Sequence, residues 1–300
     1  MPEWRAGERG VASSCRVRRL GGPATNVRRQ TTIVECVEDV VELAGKTIIV
    51  TGGASGIGAA LCRRFAQEGP VGVTVADRNL DGATAVAGDL DRALAVRCDV
   101  SDPDSIAECV DTTTERFGPV DVYVSNAGIF DGGGPIDAPL AAWAAQWDVN
   151  VMAHVHAMRQ LLPSMLERGS GYFVVTASMA GILTSPGNAV YAATKHAAVG
   201  LAEWMSITYH GKGVRTSCLA PLGVRTPMLE QLGDPADERF ASVVGEACEP
   251  ADVADMVVEA IADERCLITT DPQAGEWMRR KVDDHERWLA GMRRSGVTLG

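Results

Sequence analysis

From Leu43 onward, short apolar runs alternate with longer stretches whose apolar residues recur at helical spacing. Thr47-Ile48-Ile49-Val50 has the pattern of a buried strand. A glycine-rich turn follows at once, and then a helix over 59–68 that Gly69-Pro70 ends. Further strands are predicted over 71–76, 94–98, 120–125, 172–177, 214–220 and 266–269. Helices are predicted over 104–117, 191–210 and 250–263, and a long helical stretch over 141–168 carries an interruption at Pro163. Strands separated by helices mean βαβ units. The expected fold is a single α/β domain with a doubly wound parallel sheet of about seven strands and helices on both faces. No repeat of 20–50 residues and no linker divides it.

Composition narrows the class. Of 300 residues, 46% are hydrophobic and 22% charged, which suits a folded domain with a sizeable core. The formal net charge of −11 argues against a general nucleic-acid binder. No run of about 18 apolar residues occurs, so no membrane span is expected. The charge is uneven. Residues 1–30 hold seven arginines and two glutamates, a net of +5, while the other 270 hold 21 basic and 37 acidic residues, a net of −16. Residues 1–40 lack sustained periodicity and read as a basic, disordered extension, with residues 41–300 as the working domain. A start near Val41 stands beside that reading, and an organelle transit peptide ranks below both. Eight scattered cysteines without a CxxC pair read as reduced residues of a cytoplasmic protein. No metal site is expected, because His154 and His156, two apart on a helix, point in different directions.

The candidate chemistry begins at Thr51–Gly58, TGGASGIG, between the first strand and the first helix. Gly52 permits a sharp turn, Gly56 a close approach of phosphate to backbone, and Gly58 tight packing. Ser55, Ile57 and the helix N-terminus behind them offer unpaired N–H groups to a pyrophosphate. This strand–turn–helix context makes the fold Rossmann-type. Asp77, at the end of the second strand, stands where a carboxylate accepts hydrogen bonds from an adenosine ribose and repels a 2′-phosphate. It favours NAD over NADP, while Arg78 could attract a phosphate or stack on adenine.

Together with Ser125-Asn126-Ala127-Gly128, Ser178 and Tyr191-Ala192-Ala193-Thr194-Lys195, the glycine turn resembles the short-chain dehydrogenase/reductase family, in its short single-domain branch. The resemblance runs from about Leu43 to Thr269. It implies that Tyr191 is the general acid/base, and that Lys195 binds the nicotinamide ribose and lowers the tyrosine pKa. Ser178 would hydrogen-bond the substrate oxygen, and Asn150 would hold a water for proton relay. It further implies that Asp99-Val100 contacts adenine, and that Asn126, Ala127 and Gly128 border the adenosine ribose. Pro221, Val224 and Thr226 would hold the nicotinamide end. Tyr191 and Lys195 are four apart on a helix and share a face. A free tyrosine titrates near pH 10, so bringing it to neutrality takes a shift of about three units, roughly 4 kcal/mol. The implied reaction is NAD-dependent hydride transfer between a secondary alcohol and a ketone. A catalytically inactive NAD-binding regulatory or scaffold protein of the same fold is the alternative.

Two stretches depart from the family's pattern. Leu222 stands in Pro221-Leu222-Gly223 where relatives usually have glycine, and reads either as a tolerated change or as a remodelled pocket mouth. Asp271–Arg294 extends beyond the last strand as a charged amphipathic stretch with Trp277, Met278, Val282, Trp288, Leu289 and Met292 at helical spacing. Residues 227–249 match the mobile substrate loop. Met228, Leu229, Leu232, Phe240, Val243 and Val244 give that loop an apolar side, so a hydrophobic alcohol or ketone is expected. A homodimer or homotetramer through the long helices 141–168 and 191–210 is implied by the resemblance.

Overall fold

The computed structural model describes residues 41–230 and 247–294. The N-terminal extension, and Leu232, Phe240, Val243 and Val244 of the expected substrate loop, lie outside the described residues. Seven parallel strands form one sheet in the order β3-β2-β1-β4-β5-β6-β7. They are β1 (Thr47–Thr51), β2 (Gly72–Asp77), β3 (Ala93–Arg97), β4 (Val122–Ser125), β5 (Gly171–Thr176), β6 (Val214–Ala220) and β7 (Leu267–Thr269). The doubly wound sheet expected from the alternation is therefore present.

Both faces of the sheet are buried, and side chains one residue apart enter different cores. Ile48 and Val50 of β1 face one side with Val122, Val124 and Val174. Ile49 faces the other with Tyr123, Phe173 and Val175. Helices α1 (Gly56–Ala66), α2 (Leu80–Gly88) and α9 (Pro250–Ala262) cover the first face. Helices α3 (Pro103–Phe117), α5 (Ala153–Arg168) and α7 (Ala189–Tyr209) cover the second. Each buried Leu, Ile, Phe or Met contributes about 1.5–3 kcal/mol over exposure, so the two cores dominate the stability of the domain.

Three elements differ from the sequence expectation. Helix α2 has no counterpart in it. Gly82 and Gly88 weaken its helical signal, and only Ala83 and Val86 are buried. The long stretch over 141–168 breaks elsewhere than at Pro163. Helix α4 (Leu140–Trp147) passes into a π-helical turn over Asp148–Met152, and Pro163 lies inside α5 on its exposed side. The carbonyl that loses its partner to Pro163 can then be solvated. The C-terminal stretch is two helices, α10 (Ala274–Asp283) and α11 (His285–Arg294), separated at the extended Asp284. The remaining short helices are α6 (Ala180–Leu183) and α8 (Pro227–Glu230).

The chain turns into β6 at Gly213, where φ is +86° and an added Cβ would sit 1.8 Å from the Gly169 carbonyl oxygen. Gly213→Ala should lower unfolding stability by about 2 kcal/mol or more, because strain and a backbone clash coincide. Gly211→Ala, two residues away with nothing within 4 Å, is the control. Equal urea midpoints for the two variants would contradict this account of the turn.

Candidate active site

The strand order reverses between β1 and β4, which opens a crevice at their C-terminal ends. Thr51 closes its floor. Its hydroxyl donates to the Val124 carbonyl (3.1 Å) and accepts from the backbone N–H groups of Asn126 (3.0 Å) and Ala127 (3.2 Å). Asn126 Nδ2 donates back to the Thr51 carbonyl (3.0 Å), and its Oδ1 accepts from the Thr176 hydroxyl (3.2 Å). The first glycine has φ +66°, and a Cβ on Gly52 would meet Ala127 Cα and Asn126 Nδ2 at 3.0 Å. A Cβ on Gly58 would lie 2.0 Å from the Gly52 carbonyl oxygen. Side chains at either position would push the turn out of the crevice. Ser55 stands at the helix N-cap without making a side-chain cap, so the first N–H groups of α1 are left for a ligand.

Asp77 ends β2 beside the turn. Its Oδ2 accepts from Ala54 N (3.1 Å) and its Oδ1 from Asn79 N (2.9 Å), which fixes the carboxylate at the edge of the cleft next to exposed Arg78. Asp99 is bonded by the Ser101 hydroxyl (2.7 Å) and backbone N–H (3.0 Å), which hold its carboxyl below the usual range. Val100 is buried behind it.

The other end of the cleft is built from β5, α7 and the segment after β6. Ser178 follows β5; its hydroxyl accepts from Ala180 N (3.1 Å) and donates to the Pro221 carbonyl (3.4 Å). Tyr191 and Lys195 project from the first turns of α7, with the Lys195 nitrogen 5.6 Å from the Tyr191 ring centre. Lys195 Nζ also donates to the Thr176 carbonyl (2.9 Å). Thr226 Oγ1 donates to the Val224 carbonyl (3.2 Å). One cleft brings together every site residue expected from the sequence except Gly58, which packs beneath the turn, and Asn150. Its volume is about 2040 Å³, at least about twice an ordinary small-ligand pocket of roughly 300–1,000 Å³. An open helix N-terminus, a fixed carboxylate one strand away and a cleft of this size fit a dinucleotide with room for a substrate.

A family model for short chain dehydrogenases matches residues 46–237. The chain belongs to the short chain dehydrogenase family. It is 36% identical over 263 residues to 1-deoxy-11-beta-hydroxypentalenate dehydrogenase of Streptomyces avermitilis, covering 83% of this chain and 93% of that one. It is 35% identical over 236 residues to 2,5-dichloro-2,5-cyclohexadiene-1,4-diol dehydrogenase of Sphingobium indicum, covering 76% and 94%. A solved short chain dehydrogenase/reductase from Burkholderia phymatum, in complex with NAD, superposes with a TM-score of 0.74 at 30% identity, covering 82% and 96%. This dehydrogenase is thus an oxidoreductase that interconverts hydroxyl and carbonyl groups with a nicotinamide cofactor.

The electrostatics of the dehydrogenase site depart from the simplest expectation. Enclosure of the Tyr191 phenol pushes its pKa up, and the nearby Ser178 hydroxyl pulls it back. Burial lowers the Lys195 ammonium to about 8. In the chain alone, then, the phenol is not yet tuned toward neutrality, because desolvation opposes the phenolate. The Asn150 amide is also occupied. Its Oδ1 accepts from Ile129 N (2.9 Å), and its Nδ2 donates to the Ile129 carbonyl (2.9 Å) and the Thr194 hydroxyl (3.2 Å). The side chain expected to hold a water thus spends its amide on tying the π-helical turn to the segment after β4 and to α7.

Several residues at the site carried no sequence signal. Phe130 packs edge-on against Tyr191 at 5.0 Å between ring centres. Thr176 acts through its hydroxyl and carbonyl outside every quoted motif, and Thr51 and Thr194, although inside the glycine-turn and Tyr191–Lys195 motifs, act through hydroxyls to which those motifs assign no role. His154, fully buried, shares a hydrogen bond of 2.6 Å between Nδ1 and Ser125 Oγ. His156 faces elsewhere and is half-buried. Among the described residues no cluster fit to hold a metal occurs.

Burial, with Lys195 nearby, pushes His154 down to about 3, against about 6.5 when unfolded. The ring is neutral in the fold, so its stability contribution is complete above about pH 6.5 and is lost as pH falls toward 3. Across that window wild type should lose up to about 1.4 kcal/mol per pH unit more than His154→Gln. Urea unfolding of both proteins between pH 7 and pH 4.5 measures the difference, and parallel slopes would contradict a neutral His154.

Proposed function

We propose that the chain is an NAD-dependent dehydrogenase/reductase that interconverts an apolar secondary alcohol and its ketone, with Tyr191 as general acid/base. The observation that carries this reading is the meeting of Ser178, Tyr191 and Lys195 at one end of a cleft whose other end is the Gly52–Gly58 turn and Asp77. Residues 41–300 are the catalytic domain, and residues 1–40 a basic extension outside it.

Gly52, Ser55, Gly56 and Ile57 would receive the pyrophosphate, with Gly58 packing the turn behind them. Asp77 and Arg78 would meet the adenosine ribose, and Asp99 and Val100 the adenine. Asn126, Ala127 and Gly128 line the crevice floor between the two ends, and Pro221, Val224 and Thr226 flank the nicotinamide. When bound, NAD supplies the acceptor for the carbinol hydride. In the oxidising direction the Tyr191 phenolate takes the hydroxyl proton. In reduction its phenol returns a proton to the carbonyl oxygen. Ser178 donates a hydrogen bond to that oxygen in both directions. Lys195 supplies positive charge beside the phenol and favours the phenolate, and its amine also orients the nicotinamide ribose. Asn150 holds the turn on which these groups sit; a relay water at this residue would engage atoms other than its side-chain amide.

An apolar substrate is supported by Leu222, Met228 and Leu229 along the cleft and by relatives named for hydroxylated carbon rings. We read the protein as a homodimer or homotetramer, since Trp147 of α4 and Trp204 and Ile207 of α7 are exposed on the long helices. A cytoplasmic location suits the six described cysteines, all free. No described helix is long and apolar enough to cross a membrane, and neither a membrane nor a nucleic acid is among the proposed partners.

Tyr191→Phe should lower kcat at least about a hundredfold, the span of general acid/base catalysis, while NAD affinity measured by calorimetry stays within about twofold. Residual turnover near wild type would overturn the assignment. Asp77→Ser should raise the ratio of NADP to NAD in kcat/KM by about tenfold or more, since an unfavourable charge contact is removed. An unchanged ratio would remove Asp77 from cofactor selection. Lys195→Met removes a positive charge beside the phenol and should move the pH profile for alcohol oxidation to higher pH. A profile that stays in place would assign Lys195 to cofactor binding alone.

A further inference from the structure

Leu222 and the C-terminal helices, the two departures from the family's pattern, meet in space. Leu222 packs with Leu183, Leu267 and Trp277 around a small separate core of Met179, Ala220 and Ala274. Trp277 and Ala274 belong to α10, so this core is where the C-terminal pair docks. A side chain at position 222 supplies part of the seat, which a glycine would not. Lys281, on the same helix, donates from Nζ to the Ile182 carbonyl in α6 and lies 5.0 Å from the Trp288 ring centre of α11. His285 stacks on the same ring at 5.5 Å.

The contact reaches the chemistry directly. Helix α6 begins two residues after Ser178, and a Cβ on its Gly181 would lie 2.3 Å from the Lys195 carbonyl oxygen. The C-terminal pair is thus fastened to the segment that joins Ser178 to α7. From this anchor Trp277, Trp288 and Met292 line the same cleft as Tyr191. Charge on the cleft side of residues 271–294 does not favour one sign. Arg280, Arg287 and Arg294 line the cleft. So do Asp271, Asp283 and Asp284, equal in number. Such a wall discriminates by apolar area and shape more than by net charge.

We propose that α10 and α11 form the substrate-recognition wall of this enzyme: Trp277, seated with Leu222 on the same small core, fixes the wall, and Trp288 selects a fused-ring or similarly bulky alcohol or ketone over a small one. This rests on the proposed alcohol–ketone activity and adds the substrate's size class to it. Apolar discrimination of one ring against a fused pair comes from contact area, and a flat indole face supplies that area without losing much side-chain entropy. Trp277 acts through the wall's position and Trp288 through the substrate.

The test uses the full chain saturated with NAD, with which a ketone forms a complex that cannot react, and two probe ketones, decalone and cyclohexanone, with binding followed by calorimetry. Wild type should bind decalone at least about tenfold more tightly than cyclohexanone. Trp288→Ala should cut that ratio about tenfold, and Trp288→Phe should restore most of it. Trp277→Ala should lower the ratio too, because the wall loses its seat. NAD affinity of each variant, measured in a separate titration, shows that the domain is folded. A wild-type ratio near one, or a ratio untouched in Trp288→Ala, overturns the proposal. Binding in the predicted ratio with no oxidation of NADH by any ketone would instead overturn the catalytic reading and leave the wall in place. Turnover with no effect of Trp288 on the ratio would do the reverse.

Discussion

One buried hydroxyl holds the two halves of the site in register. Thr51 Oγ1 bonds the last carbonyl turn of β4 and two N–H groups of the segment beyond it. It sits where the strand order reverses, so β1 and β4 cannot separate or slip without breaking three hydrogen bonds at once. Each such bond contributes about 0.5–1.5 kcal/mol net, and leaving the buried partners unmade costs more. The glycine turn leaves β1 from this point, and the floor of the crevice leaves β4. Asn126 extends the tie to Thr176 of β5, whose carbonyl in turn receives the Lys195 ammonium. The glycine turn and the Lys195 end of the cleft are therefore coupled through one short chain of polar contacts.

The same chain explains why the ammonium tolerates burial. Lys195 is 3% exposed, and burial alone lowers its pKa to about 8. A carbonyl acceptor makes the charge bearable but does not neutralise it. The site thus holds an ammonium beside a phenol whose pKa is itself pushed up by enclosure. Neither group rests at its solution pKa, as expected where acid/base work is done.

Much of this was legible in the sequence. Seven strands were visible because β1, β2, β4 and β5 are buried on both faces and read as continuous apolar runs. The glycine turn and Asp77 were visible through their strand–turn–helix context and spacing, whereas Ser178, Tyr191 and Lys195 were marked by the resemblance to the short-chain dehydrogenase/reductase family. Helix α2 was not visible, since a short helix with two glycines and two buried residues leaves almost no period. The break at Asp148–Met152 was hidden because a π turn needs no proline, whereas Pro163, which does signal a break, faces solvent inside an intact helix. His154 gave no warning either: its role follows from Ser125, 29 residues away, and only the fold brings them together. Leu222 was marked as a departure, but the core it shares with Trp277 could be found only once the C-terminal helices had been placed.

The central claim is that the cleft moves a hydride between a carbinol carbon and a nicotinamide. Its most direct test is isotopic. The protein is incubated with NAD and a panel of secondary alcohols deuterated at the carbinol carbon, and the NADH formed is analysed by mass spectrometry and NMR. The account predicts deuterium at the nicotinamide C4 position, on one face only, with at least one alcohol of the panel. A protein that binds NAD and ketone yet transfers no label from any alcohol, or forms NADH whose label comes from solvent, would contradict it.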